Sequence, residues 1–473
     1  NYEGAAVLGN WGVYRGASIT PGTPKLPLVD AANAGSELCL LGGLDPTVVT
    51  GKIVLCMRGE NARAEKSQAV YEAGGLGMIL YNTDDVSDLA TDTHWVPSVH
   101  VDLTPGLAIK DYIATDPNPT ARILRGRAGT WRAPIMAVFS SRGPNPVAED
   151  IIKPDITAPG MQILAGYSPY NDPVDSLFAA IQGTSMSSPY IAGVFALVKQ
   201  VRPDWTPAMA KSAIMTTAYQ KVLDNDRVSP ADPFAMGAGH VNPAGKVYNG
   251  WFAAAELDDE FTAEHRWPWL WPIGIGNTGS LFEPGLVYDA GINDYLGFLC
   301  GAAPEAFANP EATCSALTAL GVPTDPSDLN LASIGVSQLA GSQTVKRTVT
   351  SVVNPYFQHK SQEYTVHVDA PEGYTVTVNP STLKLKAGET ATYEVTITNV
   401  DAPIGEWRFG SLTWKDQRRQ YSVRSPIAVK AALFDAPAEI SGAGESGSVA
   451  FDVSFGYTGA YTAAAHGLEP AVV

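Results

Sequence analysis

The stretch IQGTSMSSPYIAGVFALVKQ, residues 181–200, decides how the rest of the chain is read. A Gln-Gly pair precedes Thr184, and from Ser185 to Lys199 the residues are small and apolar enough for one helix. Ala192, Gly193 and Ala196 give that helix a narrow face for close packing. Pro189 is expected in its first turn, where N–H groups have no intrahelical partner. A serine at a helix mouth has an unpaired backbone N–H beside the positive end of the helix dipole. It can serve as a cap, the common use of serine there. It can also be a nucleophile, and then it needs a base, an acid orienting that base, and donors for an oxyanion.

Length and composition bound the partners. At 473 residues the chain has room for two to four domains of ordinary size. Net charge is −17 and the pI about 4.8, which argues against nucleic acid or an anionic membrane surface as partner. No apolar run approaches the roughly 18 residues of a membrane span. The four cysteines fall into two local pairs, Cys39/Cys56 and Cys300/Cys314, which suggest two disulfides and an oxidising compartment; four buried thiols are the alternative. No CxxC or CxxH spacing occurs, so neither a metal nor another cofactor is expected. The first residues, NYEGAAVLGN, read as the middle of a strand, and the N-terminus of the protein is expected to lie upstream.

The pattern changes four times along the chain. Residues 21–130 form one expected unit: GKIVLCMRG (51–59) is a strand, residues 61–75 a helix stopping at Gly74–Gly75, and LGMILYN (76–82) the next buried strand. That order suggests a βαβ-type unit. Residues 131–335 mix short strands, Pro/Gly-rich loops such as KPDITAPG and GAGHVNP, and a second helix over 206–220 with a Thr cap and Pro at its first position. Residues 336–432 alternate with period two and read as a β-sandwich, and 433–473 continue as an unclosed β segment. Residues 247–280 fit neither neighbour: they hold four of the ten Trp, three of them in WPWLWP. They read as an insertion, either a retained intron or a loop with an aromatic docking patch.

GTSMSSPYIAG resembles the nucleophile motif of the subtilisin-like serine proteases. Other stretches resemble that family in order: CLLGGLDPTVVTGKIVLCMRG its inserted PA domain, AVFSSRGPN and IIKPDITAPGMQILAG the catalytic domain, and the all-β part its fibronectin type III-like domain. Tyr190 stands where the family often has His. The resemblance implies an α/β fold: a partial parallel-sheet catalytic domain (residues 1–20 and 131–335), an α+β PA domain (21–130) and an all-β sandwich (336–432). It implies a secreted serine endopeptidase acting on polypeptides through an acyl-enzyme on Ser185, with a PA domain that gates access or mediates self-association.

The family's triad runs Asp, His, Ser along the chain. None of the seven histidines is followed by Gly-Thr, as the family's base is; His240 and His100 match structural stretches. Asp289 and Asp155 are poor matches for the acid, and Asn10 for the oxyanion Asn. Ser185 is therefore the single catalytic residue expected in this chain, which is expected to be an N-terminally truncated fragment and inactive as it stands. The alternative is a non-catalytic secreted binding protein using its PA and sandwich domains.

Overall fold

The runs Ile53–Met57 (β4) and Gly77–Tyr81 (β5) are almost wholly buried, because both of their faces are covered. Ile53, Leu55, Ile79 and Tyr81 join a cluster with Ala6, Ile123 and, from the helix Leu103–Thr115 (α3), Ile109 and Tyr112. Val54, Cys56, Met78 and Leu80 face the other way, onto Cys39, Ala69 and Val70. Two-sided burial explains why these strands read as unbroken apolar runs rather than as alternation.

The computed structural model describes residues 2–128, 133–171, 176–243, 279–353, 361–418, 420–436, 448, 450, 451 and 453–456. They fall into two units. The first (Asn1–Ser141, Ala158–Gly193 and Lys221–Ala231) is built on a closed barrel. Its strands are Tyr2–Leu8 (β1), Gly12–Ala17 (β2), Leu26–Asp30 (β3), β4, β5, Ser98–Val101 (β6) and Thr120–Ala128 (β7). They close in the order β1-β2-β6-β5-β4-β3-β7. Strands β3, β4, β5 and β6 run parallel. The turn α1 (Pro46–Val49) precedes β4, and α2 (Arg63–Glu72) makes the crossover to β5, shorter at both ends than the sequence suggests. Residues 1–20, expected to end an upstream part of the catalytic domain, supply the hairpin β1–β2, with Val7 opposite Val13. Cys39 and Cys56 are bonded and fully buried, Cα atoms 5.7 Å apart. The same unit holds an antiparallel pair, Ile163–Gly166 (β8) with Phe178–Ile181 (β9).

The helix Thr184–Val201 (α4) follows β9. In the second unit, Pro207–Thr216 (α5) begins as expected: Thr206 Oγ1 accepts from Met209 N at 3.1 Å and Pro207 takes the first position. It ends at Thr216, with Thr217 as its C-cap, rather than running to 220. A short helix, Pro233–Met236 (α6), precedes Leu286–Val287 (β10). Cys300–Cys314 ties Ile292–Ala302 (α7) to Pro310–Ala319 (α8), Cα atoms 5.6 Å apart.

The all-β part is a sandwich. Its further strands are Ile334–Leu339 (β11), Ser342–Ser351 (β12), Gln362–Asp369 (β13), Tyr374–Asn379 (β14), Thr382–Leu385 (β15), Thr390–Asn399 (β16), Trp407–Asp416 (β17) and Ser422–Ala431 (β18). One sheet has the order β10-β12-β16-β14, the other β11-β18-β17-β13-β15. Trp414, Tyr393, Tyr364 and Val345 fill the core. Among the described residues of 131–335, the expected parallel pairing is seen as isolated bridges, Ile135 to Leu223 and, in the other unit, Thr157 to His240. A one-pair bridge has no second partner from which a ladder can grow. The insertion assigned to 247–280 lies outside the described residues apart from 279–280. So does most of 433–473, in which Phe434–Asp435 pairs with Ser454–Phe455.

Candidate active site

β9 delivers the chain to a tight turn. Gly183 has φ +153°, a conformation that residues with a Cβ rarely adopt, and its N–H donates to Gly160 O at 2.9 Å. A Cβ at Gly160 would lie 2.3 Å from Ser187 Oγ and 3.0 Å from Gly183 O, so a side chain there would force Ser187 to move. Ser187 Oγ in turn donates to Ala158 O at 3.0 Å. These contacts pin the entry to α4 on both sides of Ser185, which is the second residue of the helix and exposed. Its backbone N–H is one of the first four of the helix and has no intrahelical partner. Its hydroxyl makes no hydrogen bond among the described residues.

Pro189 is the sixth residue of α4, not part of the first turn as expected. Its missing N–H leaves the Ser185 carbonyl without the usual donor four residues on. The helix tolerates this where its side chains are exposed, over Ser188–Tyr190.

One contact has no signal in the sequence. Gln182 Nε2 donates to Asp92 Oδ1 at 3.2 Å, so a residue of the barrel's long β5–β6 loop holds the residue before Gly183. Burial pushes the Asp92 carboxyl up, but Arg63 outweighs it and holds the group below the usual carboxylate range. That pair is bidentate, Nε to Oδ2 at 2.5 Å and Nη2 to Oδ1 at 3.1 Å. A residue separation of 90 between Gln182 and Asp92 hides such a contact from any local reading.

Three of the described histidines are engaged elsewhere. His94 Nδ1 lies 3.0 Å from Ser67 Oγ, and burial pushes its pKa down to about 4. His100 Nε2 is 2.8 Å from Asn82 Oδ1, and burial drives its pKa down to about 3. His240 Nδ1 is 3.1 Å from Thr157 Oγ1. His367 stands opposite Thr413 between β13 and β17. His265, His359 and His466 are outside the described residues. Among the carboxylates considered for the acid, Asp289 accepts from Thr206 Oγ1 at 2.5 Å and Asp155 pairs with Lys211 at 2.7 Å and Lys153 at 2.6 Å. Asn10 is exposed on the β1–β2 turn. None of these is hydrogen-bonded to Ser185 among the described residues.

Three family models match the chain in order: a PA domain over residues 24–109, the subtilase family over 126–239 and a fibronectin type-III domain over 328–429. The chain belongs to the subtilase family. Subtilisin-like protease SBT5.3 of Arabidopsis thaliana is 38% identical over 90% of this chain and 53% of its own length. Subtilisin-like protease SBT1.7 of the same plant is 37% identical over 91% of this chain and 55% of its own. This subtilase therefore spans about half the length of the curated relatives it matches.

In this subtilase the Ser185 turn lies inside the subtilase match, and Asp92 and Arg63 lie inside the PA match. The fold class expected from the sequence holds: mixed helices and strands in the PA and subtilase parts, then an all-β fibronectin-like part. No described helix is long and apolar enough to cross a membrane.

Proposed function

We propose that this chain is the Ser185-bearing part of a secreted serine endopeptidase that hydrolyses polypeptides. Ser185 Oγ attacks the scissile carbonyl, and its own N–H is one donor to the oxyanion that forms. The acyl-enzyme on Ser185 is then hydrolysed. The observation that carries this reading is an exposed serine at a helix N-terminus, held by a turn that requires glycine at 183. The two disulfides agree with secretion.

The base, its acid and the second oxyanion donor are residues other than those described around Ser185. Losing the base of a serine triad costs on the order of 10⁶ in kcat, the figure measured on subtilisin itself. The 473 residues alone are therefore expected to hydrolyse no peptide at a measurable rate. A fluorophosphonate probe tests the proposal on the protein that also carries the family's D-[ST]-G and H-G-T-H motifs. Labelling should map to Ser185 and vanish in Ser185→Ala. A folded, propeptide-free protein that is not labelled would overturn it.

The engagement of His94, His100 and His240 away from Ser185 favours a second reading, a non-catalytic binding protein using its PA and fibronectin-like domains. A start codon and signal sequence directly before Asn1 in the gene would decide for that reading, and upstream triad motifs against it.

A further inference from the structure

The outer face of the barrel carries a concentration of positive charge that nothing in the catalytic reading uses. Along β7, Ala121 and Ile123 point into the core while Arg122, Arg125 and Arg127 are exposed. Arg15 on β2 is exposed too, opposite Ala5, the β1 residue that pairs with Leu124 of β7. Exposed Lys25 directly precedes Leu26, the β3 residue paired with Ala121. Glu3, opposite Arg127, is the acidic residue in the same register. None of the five cations is in an ion pair among the described residues. This is a local excess of four positive charges (five cations, one anion) on a chain whose net charge is −17.

We propose that this ridge is a docking site for an acidic, extended polypeptide segment. Both edges of β7 are already paired, to β1 and β3, so a ligand cannot add as a further strand. Recognition must come from side chains. Arginine suits carboxylates because its planar guanidinium forms two parallel hydrogen bonds to one of them. Spacing favours a peptide. The pairing with β1 shifts between Ala5/Leu124 and Glu3/Arg127, so β7 carries an extra residue there. Arg122 and Arg127, both on the side of Leu124, lie about 14 Å apart, twice the same-face repeat of about 7 Å of an extended peptide with alternating acidic residues. Arg125 lies within that bulge, between them. A nucleic acid duplex would face the net negative charge of the remaining surface, whereas a short peptide within about a Debye length (8–10 Å) of the ridge meets mainly the arginines. The inference does not depend on Ser185 being reactive.

The test is fluorescence anisotropy of the intact chain with a labelled (Glu-Ser)₅ peptide in low salt. Binding should weaken about tenfold or more in Arg122→Glu/Arg125→Glu/Arg127→Glu, and several-fold between about 50 and 300 mM salt. The neutral triple variant with Gln at the same positions should fall between. All three side chains are exposed, so unchanged circular dichroism and melting are expected. A Glu₅Ser₅ peptide, with the same charge but no alternation, should bind more weakly. Binding that survives charge reversal, or is absent in the wild type, overturns the proposal. So does an oligouronate of equal charge that binds more tightly with the same arginine dependence, which would reassign the ridge to acidic polysaccharide.

Discussion

Ser185 is set up by its neighbours more than by itself. Its side chain is exposed and makes no hydrogen bond among the described residues, so Ser185→Ala should leave the urea midpoint within about 0.5 kcal/mol of the wild type while removing fluorophosphonate labelling from the motif-complete protein. Gly183→Ala should do more harm, since it forces a Cβ onto φ +153°. The expected cost is about 1 kcal/mol or more, read as a lower midpoint together with slower labelling. Gln182→Ala removes only the bond to Asp92. Amide exchange at 182–186 should rise in it with no change at β4 and β5. Equal protection in both proteins would show that Asp92 does not hold the turn. The serine and its helix were legible because glycine, small residues and a helix mouth are local features. Gln182 was not, because its partner belongs to a distant loop.

At the scale of elements, the barrel's buried histidines make a prediction about pH. His94 and His100 have folded pKa values of about 4 and about 3, below the ordinary 6.5, because burial disfavours their charged forms. The unfolded chain therefore binds more protons between those values and 6.5, so stability is full above 6.5 and falls as pH is lowered towards 4. The urea midpoint of the barrel's unfolding should drop across that window, and His94→Gln should flatten the drop. The Cys39–Cys56 bond closes a loop with a sequence separation of 17, worth about 3 kcal/mol by loop-closure entropy. Reduction should lower the same midpoint accordingly. Both disulfides were readable as local pairs, and the β4–α2–β5 unit as two apolar runs around a helix. The place of β1 and β2 in the barrel was not: their pairing to β6 and β7 joins residues about a hundred positions apart. Pro189 shows the limit of local reading at one position: expected in the first turn, it is the sixth residue of α4.

For the molecule as a whole, the decisive property is that a nucleophile and its base must meet in space. Of the described histidines of this subtilase, His94 and His100 lie in the barrel unit and His240 in the second unit, each on a partner of its own, while His367 stands on β13. Adding a separately produced segment with the D-[ST]-G and H-G-T-H motifs should restore fluorophosphonate labelling at Ser185. No labelling from the two folded pieces together, under conditions where the motif-complete single chain is labelled, would show that the parts do not assemble in trans.

The sequence by itself determined what depends on neighbours along the chain: the family, the order of its domains, the cysteine pairs, the serine at the mouth of α4 and the Thr206 cap of α5. Each rests on residue type at short spacing, where backbone geometry leaves few choices. Tertiary structure alone decided that Asp92, itself paired with Arg63, holds Gln182, that His94, His100 and His240 are each spent on another partner, and that exposed Arg15 of β2 and the exposed arginines of β7 flank β1. Those outcomes depend on which distant strands pair and which faces water reaches, and the free energy of burial settles them only once the whole chain has folded.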